Sequence, residues 1–153
     1  MKKFTFRLQR LMDAKRGEER LRQRDLGIEQ QKLSDEEIKL QKLSDDLKQV
    51  YQEQREKLKK GTRVGDLLLS HQWQRNLRTR IRGQTKEVEK QESRVETARE
   101  VLVDVSREKK VLEKLRERRK DEHQHQVNTE TQNQLDDIGA RLHRRRKSSS
   151  SES

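Results

Sequence analysis

Ile81, Val88, Val95 and Leu102 recur every seven residues, and Leu77, Ala98, Val105 and Leu112 stand three or four residues away from them. That is the a/d spacing of a coiled coil, and it demands a second helix with a seam of its own. The first third of the chain offers one: Leu26, Leu33, Leu40 and Leu47, with Leu43 and Val50 interleaved. An earlier register, Phe4, Leu11, Ala14, Leu21 and Ile28, precedes it. The two registers are expected to change hands near Gly27, with local over- or underwinding of the supercoil. Gln84 and Gln91 interrupt the downstream seam, which lowers stability but restricts register and partner choice.

Composition favours the same solution. Only 26% of the 153 residues are hydrophobic and 44% are charged, too few apolar groups for a globular core. Such a balance permits disorder, but the chain is rich in strong helix formers and contains no proline, so long helices with thin stripes are expected. Gly17, Gly27 and Gly83 read as tolerated irregularities inside them.

The strongest punctuation is KLKKGTRVGDLLL at 57–69. Lys57, Lys59 and Lys60 fit the last turn of one helix, Gly61 its left-handed cap, and Asp66 the N-cap of a second helix beginning at Leu67. A short loop between two seams argues for an antiparallel pairing. The expected fold class is therefore all-α, a two-helix antiparallel coiled coil. Helices over about 5–60 and 67–142 flank a loop at 61–66 and form one unit, 1–142, roughly 80 Å long at 1.5 Å per residue. Folding the chain about residue 63 sets Tyr51 near Trp73 and brings Phe4, Leu8 and Leu11 to Leu112 and Leu115. Phe4 and Phe6, two apart on a helix, would diverge by roughly 200°, so one of them should stay outward. Beyond Leu115 the segment to Gln134 carries only Val127, and Leu135, Ile138 and Leu142 then resume helical spacing, as in a projecting C-terminal helix. Residues 143–153, HRRRKSSSSES, read as a disordered tail.

Several chemistries are disfavoured. GTRVGD lacks the Gly-Lys-Ser/Thr ending of a phosphate-binding loop. His123 and His125, two apart, point to different sides of a helix and suit no shared metal. Carboxylate pairs such as Asp45–Asp46 and Asp136–Asp137 have no water-excluding pocket in two helices to raise a pKa. No enzyme activity, cofactor, metal or small-molecule ligand is expected. No cysteine is present, Arg7 and Arg10 break what would be a signal-peptide core, and no stretch suits a membrane span, so the chain reads as soluble and cytoplasmic.

Charge points to a partner. Residues 1–30 carry nine basic and five acidic groups and residues 106–125 carry eight and five, against seventeen and fourteen in 31–105. Positive potential thus gathers where the outer ends of the two helices meet, and an acidic partner is implied there. Nucleic acid is the less favoured alternative, because the basic groups alternate with acidic ones and stacking aromatics are scarce. A prefoldin-like chaperone subunit ranks lower still, since no period-two segment supplies its strands.

FTFRLQRLMD at the start, the long heptad hairpin, VLEKLRERRKDEH on the return and LDDI near the end, in this order and length, resemble the FliJ family of flagellar type III protein export. Injectisome stalk proteins are close relatives of that family. The resemblance implies a coiled-coil stalk inside the hexameric export ATPase that promotes its activity, links it to the membrane-embedded export gate and handles export chaperones. It would work at the cytoplasmic face of the inner membrane, in flagellum biogenesis and hence motility and chemotaxis. Carried onto this sequence, ATPase contact falls to 4–15 and 111–120, with Phe6, Arg7, Arg10, Arg116 and Arg119 as its interface. Gate contact falls to Tyr51, Trp73 and Leu77 near the loop.

Overall fold

A computed structural model describes residues 3–149, with side chains described through 145. Two helices, α1 (Gln9–Lys60) and α2 (Val64–Ser149), account for nearly all of it, and no strand occurs among the described residues. The fold is the expected all-α, two-helix antiparallel coiled coil, with element ends that differ from the sequence reading.

α1 starts at Gln9 rather than near residue 5. The Phe6 carbonyl accepts the Gln9 amide at 3.0 Å and the Leu8 carbonyl accepts the Met12 amide at 3.0 Å, so a turn at Arg7–Leu8 opens the helix. At its other end Lys57, Lys59 and Lys60 occupy the last turn, favourably placed on the negative end of the helix dipole. Gly61 follows at φ 81°, a left-handed conformation that a side chain would strain. The connection is only Gly61–Arg63. Arg63 offers its carbonyl to the amides of Asp66 at 3.1 Å and Leu67 at 3.4 Å, so α2 begins at Val64. Asp66 is consequently not the cap. It sits inside the first turn, where its charge still meets the positive end of the dipole. α2 runs past the expected end at 142, so 143–149 of the expected tail are helical, and 150–153 lie outside the described residues.

The described residues form two compact units. In the unit Gly17–Val105, α2 turns an unbroken three-four alternation inward: Gln74, Leu77, Ile81, Gln84, Val88, Gln91, Val95, Ala98, Leu102 and Val105 are all buried or half-buried. α1 answers with Leu26, Glu29, Leu33, Glu36, Leu40, Leu43, Leu47, Val50 and Gln54 in the same alternation. The earlier register does not join this seam: Leu21 and Ile28 are exposed, as is Ile38. No change of register therefore occurs at Gly27. Heptad positions upstream of Leu26 fall on Arg22, Glu19, Lys15 and Met12, a charged continuation whose aliphatic stems can line a seam while their heads reach water.

Gly27 lies in uninterrupted helix, and a Cβ built on it would meet nothing within 4 Å. Gly27→Ala should accordingly raise unfolding stability by about 1 kcal/mol, the helix-propensity difference alone. Thermal or urea melts check this, and a lower midpoint would show that the position needs glycine.

The other unit joins the described residues up to Arg16 to those from Ser106 onward. Its deepest side chain is Met12, at 0% exposure, beside an exposed Leu11. Leu112 and Leu115 are half-buried, and Val111 is exposed. From 128 to 145 every described residue of α2 is exposed.

Candidate functional site

Within Gly17–Val105 the polar seam residues form a repeated clasp. Gln91 donates through Nε2 to the Glu29 backbone carbonyl at 3.1 Å and to its carboxylate at 2.6 Å, while Lys32 donates to the other carboxylate oxygen at 2.7 Å. One heptad along, Gln84 makes the same pair of bonds to Glu36 at 3.1 and 2.5 Å, with Lys39 at 2.7 Å. A third polar layer pairs the Gln74 amide with Gln54. Each buried glutamine thus has a partner across the seam, and a one-residue slip would break both clasps. The glutamines were legible as specificity devices. Their glutamate partners were not, because Glu29 and Glu36 read as surface charges in a chain full of them.

Hydrogen bonds from Lys32 and then Gln91 hold the Glu29 carboxyl below its ordinary value of 4.5, and Lys39 and then Gln84 do the same for Glu36. Lys39 is raised above its ordinary 10.5 chiefly by its bond to Glu36. The carboxylates' contribution is present above pH 4.5 and is lost as pH falls through their lowered values. The lysine's contribution is complete below 10.5 and is lost as pH rises beyond it. Melting midpoints should be flat between these limits and drop on acidification. Glu29→Gln with Glu36→Gln should flatten the acid limb, and an unchanged acid limb would remove the clasps from the stability account.

The three residues assigned to a gate contact separate. Leu77 is buried in the seam at 1% exposure. Tyr51 is half-buried, accepting a hydrogen bond from Arg78, whose guanidinium lies 5.9 Å from the ring centroid. Trp73 is 47% exposed. They do not make one apolar patch: Leu77 is core, and Trp73 faces outward.

In the unit holding the chain's start, Lys3–Phe6 is not helical, and burial alternates along it: Phe4, Phe6 and Leu8 are half-buried, Lys3, Thr5 and Arg7 exposed. Alternate residues of an extended segment share a side, so Phe4 and Phe6 face the same way, contrary to the helical expectation. They line an open cleft with Leu8, Leu115, Arg7, Arg119 and His123. Extended backbone advances more than 3 Å per residue against 1.5 Å in a helix, which carries Phe4 beyond Leu115. Its ring lies 5.7 Å from that of His123, at 41°. The expected packing of Phe4 on Leu112 and Leu115 is replaced by this later contact.

Of the five residues assigned to an ATPase interface, Phe6, Arg7 and Arg119 meet at the cleft, while Arg10 and Arg116 are exposed outside it. Arg119 also pairs with Glu122 at 3.7 Å. Behind them two ion pairs cross from α1 to α2, Lys15–Glu108 at 2.6 Å and Arg16–Glu113 at 3.3 Å. Neither was anticipated, because a single charge carries no periodic signal. The result is a surface for docking: a short apolar edge with fixed backbone, flanked by guanidinium groups that suit carboxylates. It encloses no reaction volume, no group of three or more metal-ligating side chains occurs among the described residues, and no described helix is long and apolar enough to cross a membrane.

Comparison with known proteins adds one finding. A family model described as Flagellar FliJ protein matches residues 3–148. No curated protein and no solved structure gives a significant match.

Proposed function

The chain belongs to the flagellar FliJ protein family, which gives it a role connected with flagellar export, and on that premise we propose that it is the coiled-coil stalk of the export ATPase. In this reading the unit carrying both chain ends enters the central opening of the hexameric ATPase and raises its turnover. The region around Tyr51 and Trp73 meets the membrane-embedded export gate, export chaperones are handled on the way, and the protein works at the cytoplasmic face of the inner membrane.

The observation that carries this reading is the cleft at Phe4, Phe6 and Leu8 with Arg7 and Arg119 on its rim. A ring interior lined by acidic and polar loops with some apolar surface would accept such an edge, the arginines supplying orientation and encounter rate and the aromatics the buried anchor. Exposed Arg7 and Arg10 take no part in the described ion pairs, so reversing them should leave the fold alone. Arg7→Glu with Arg10→Glu is expected to weaken the ATPase complex by roughly tenfold, about 1.4 kcal/mol, and to lower stimulation of hydrolysis accordingly. Unchanged stimulation at subsaturating protein would reject entry by this end.

A further inference from the structure

Where α1 gives way to α2, Leu58, Val64, Leu68 and Leu69 are exposed, Val64 most of all at 73%. Helical geometry places Val64 and Leu68 on one ridge and Leu69 and Trp73 on another, roughly 140° round the helix. The side between them that faces the partner helix holds half-buried Leu67 and Ser70 and buried Gln74. The turn is thus apolar on both flanks of its outward face. Between 57 and 63 the chain adds Lys57, Lys59, Lys60 and Arg63 and no acidic residue.

We propose that this turn docks into the surface of an anionic lipid bilayer. A protein surface covers one side of a helix, and its hot spots favour aromatic and arginine anchors in pockets. A bilayer interface surrounds a convex end on every side and needs no shape match, which is what aliphatic side chains spread around the turn require. The four cations complement anionic headgroups, and their stems can lie along the apolar zone while the charges stay in the headgroup layer. Trp73 follows Val64 by nine residues, roughly 13 Å along α2. With the turn sunk by about 5–10 Å, Trp73 reaches the headgroup level, where tryptophan is favoured. The proposal stands on the turn itself and does not depend on the ATPase reading.

Trp73 is the only tryptophan, so the full chain carries its own reporter. With vesicles of phosphatidylglycerol and phosphatidylethanolamine the protein should co-sediment, its emission should shift to the blue, and lipids brominated near the headgroup should quench it. Phosphatidylcholine vesicles should do none of this. Val64→Ser with Leu68→Ser and Leu69→Ser should keep the helical circular dichroism and lower partitioning by at least about tenfold, with no blue shift. Failure to co-sediment overturns the proposal, as does co-sedimentation with unmoved Trp73 emission, which would mean recruitment by the basic run from Arg144. Equal binding by the triple variant overturns it too. So would an acidic protein that protects the turn while vesicles do not.

Discussion

Leu77→Ala should lower the unfolding free energy of the coiled coil by about 2–4 kcal/mol, whereas Trp73→Ala, four residues away, should change it by less than about 0.5 kcal/mol. The contrast follows from exposure alone: Leu77 is at 1% and Trp73 at 47%. Truncating Leu77 leaves a void in a seam only two helices wide, and the neighbouring layer is the Gln54–Gln74 pair, which cannot collapse into it without giving up its hydrogen bond. The loss is large for a protein whose cross-seam layers include three polar ones, since total stabilities are themselves only several kcal/mol. Urea melts followed by circular dichroism measure both variants, and a Leu77→Ala midpoint within error of the parent would mean that the seam does not close there. In the proposed gate contact the ranking inverts. Trp73→Ala should cost roughly 2 kcal/mol of binding with its melt intact, while any binding loss in Leu77→Ala should track its unfolding.

The fold class was legible because the downstream heptads and the lysine-rich stop before Gly61 are local, periodic signals that tertiary context had no reason to override. The upstream register was half legible. From Leu26 onward leucines mark it, but before Leu26 the seam is written in Arg22, Glu19 and Lys15, and the eye follows Leu21 and Leu11 instead, which face water. Charged residues whose stems serve as seam have no hydrophobic pattern to reveal them. Met12 was hidden for a related reason: adjacent to Leu11, it differs from it by only a hundred degrees of helix, and the choice between them depends on where α1 starts. The start at Gln9 was in turn written in FTFRL, three alternating apolar residues. That is the period of extended chain, passed over because so short a run sits at the head of a long helical pattern. The glutamate clasps depend on which residue lies across the seam, and a sequence without register cannot show that.

The extended start sets the last expectation. Phe4, Phe6 and Leu8 hang on one side of a segment that has no helical hydrogen bonds of its own before Gln9, and their burial is what fixes Arg7 on the rim of the cleft. A division of labour in which Phe4 closes the coiled coil while Phe6 meets the ATPase required the two rings to point apart, as they would on a helix. Sharing a side, they should behave alike. Each ring half-buried contributes about 1 kcal/mol to holding the segment in place, so Phe4→Ala and Phe6→Ala should each reduce stimulation of the export ATPase severalfold. The double variant should reduce it by well over tenfold, about 2 kcal/mol or more, because the segment then frays and Arg7 loses its fixed position. The helical melt should scarcely move in any of the three, since residues 3–8 lie outside α1 and the seam is untouched. Stimulation assays alongside melts distinguish the outcomes. Loss in Phe6→Ala with none in Phe4→Ala would mean that the ATPase reads a single ring, and loss in neither would detach the cleft from the stalk reading altogether.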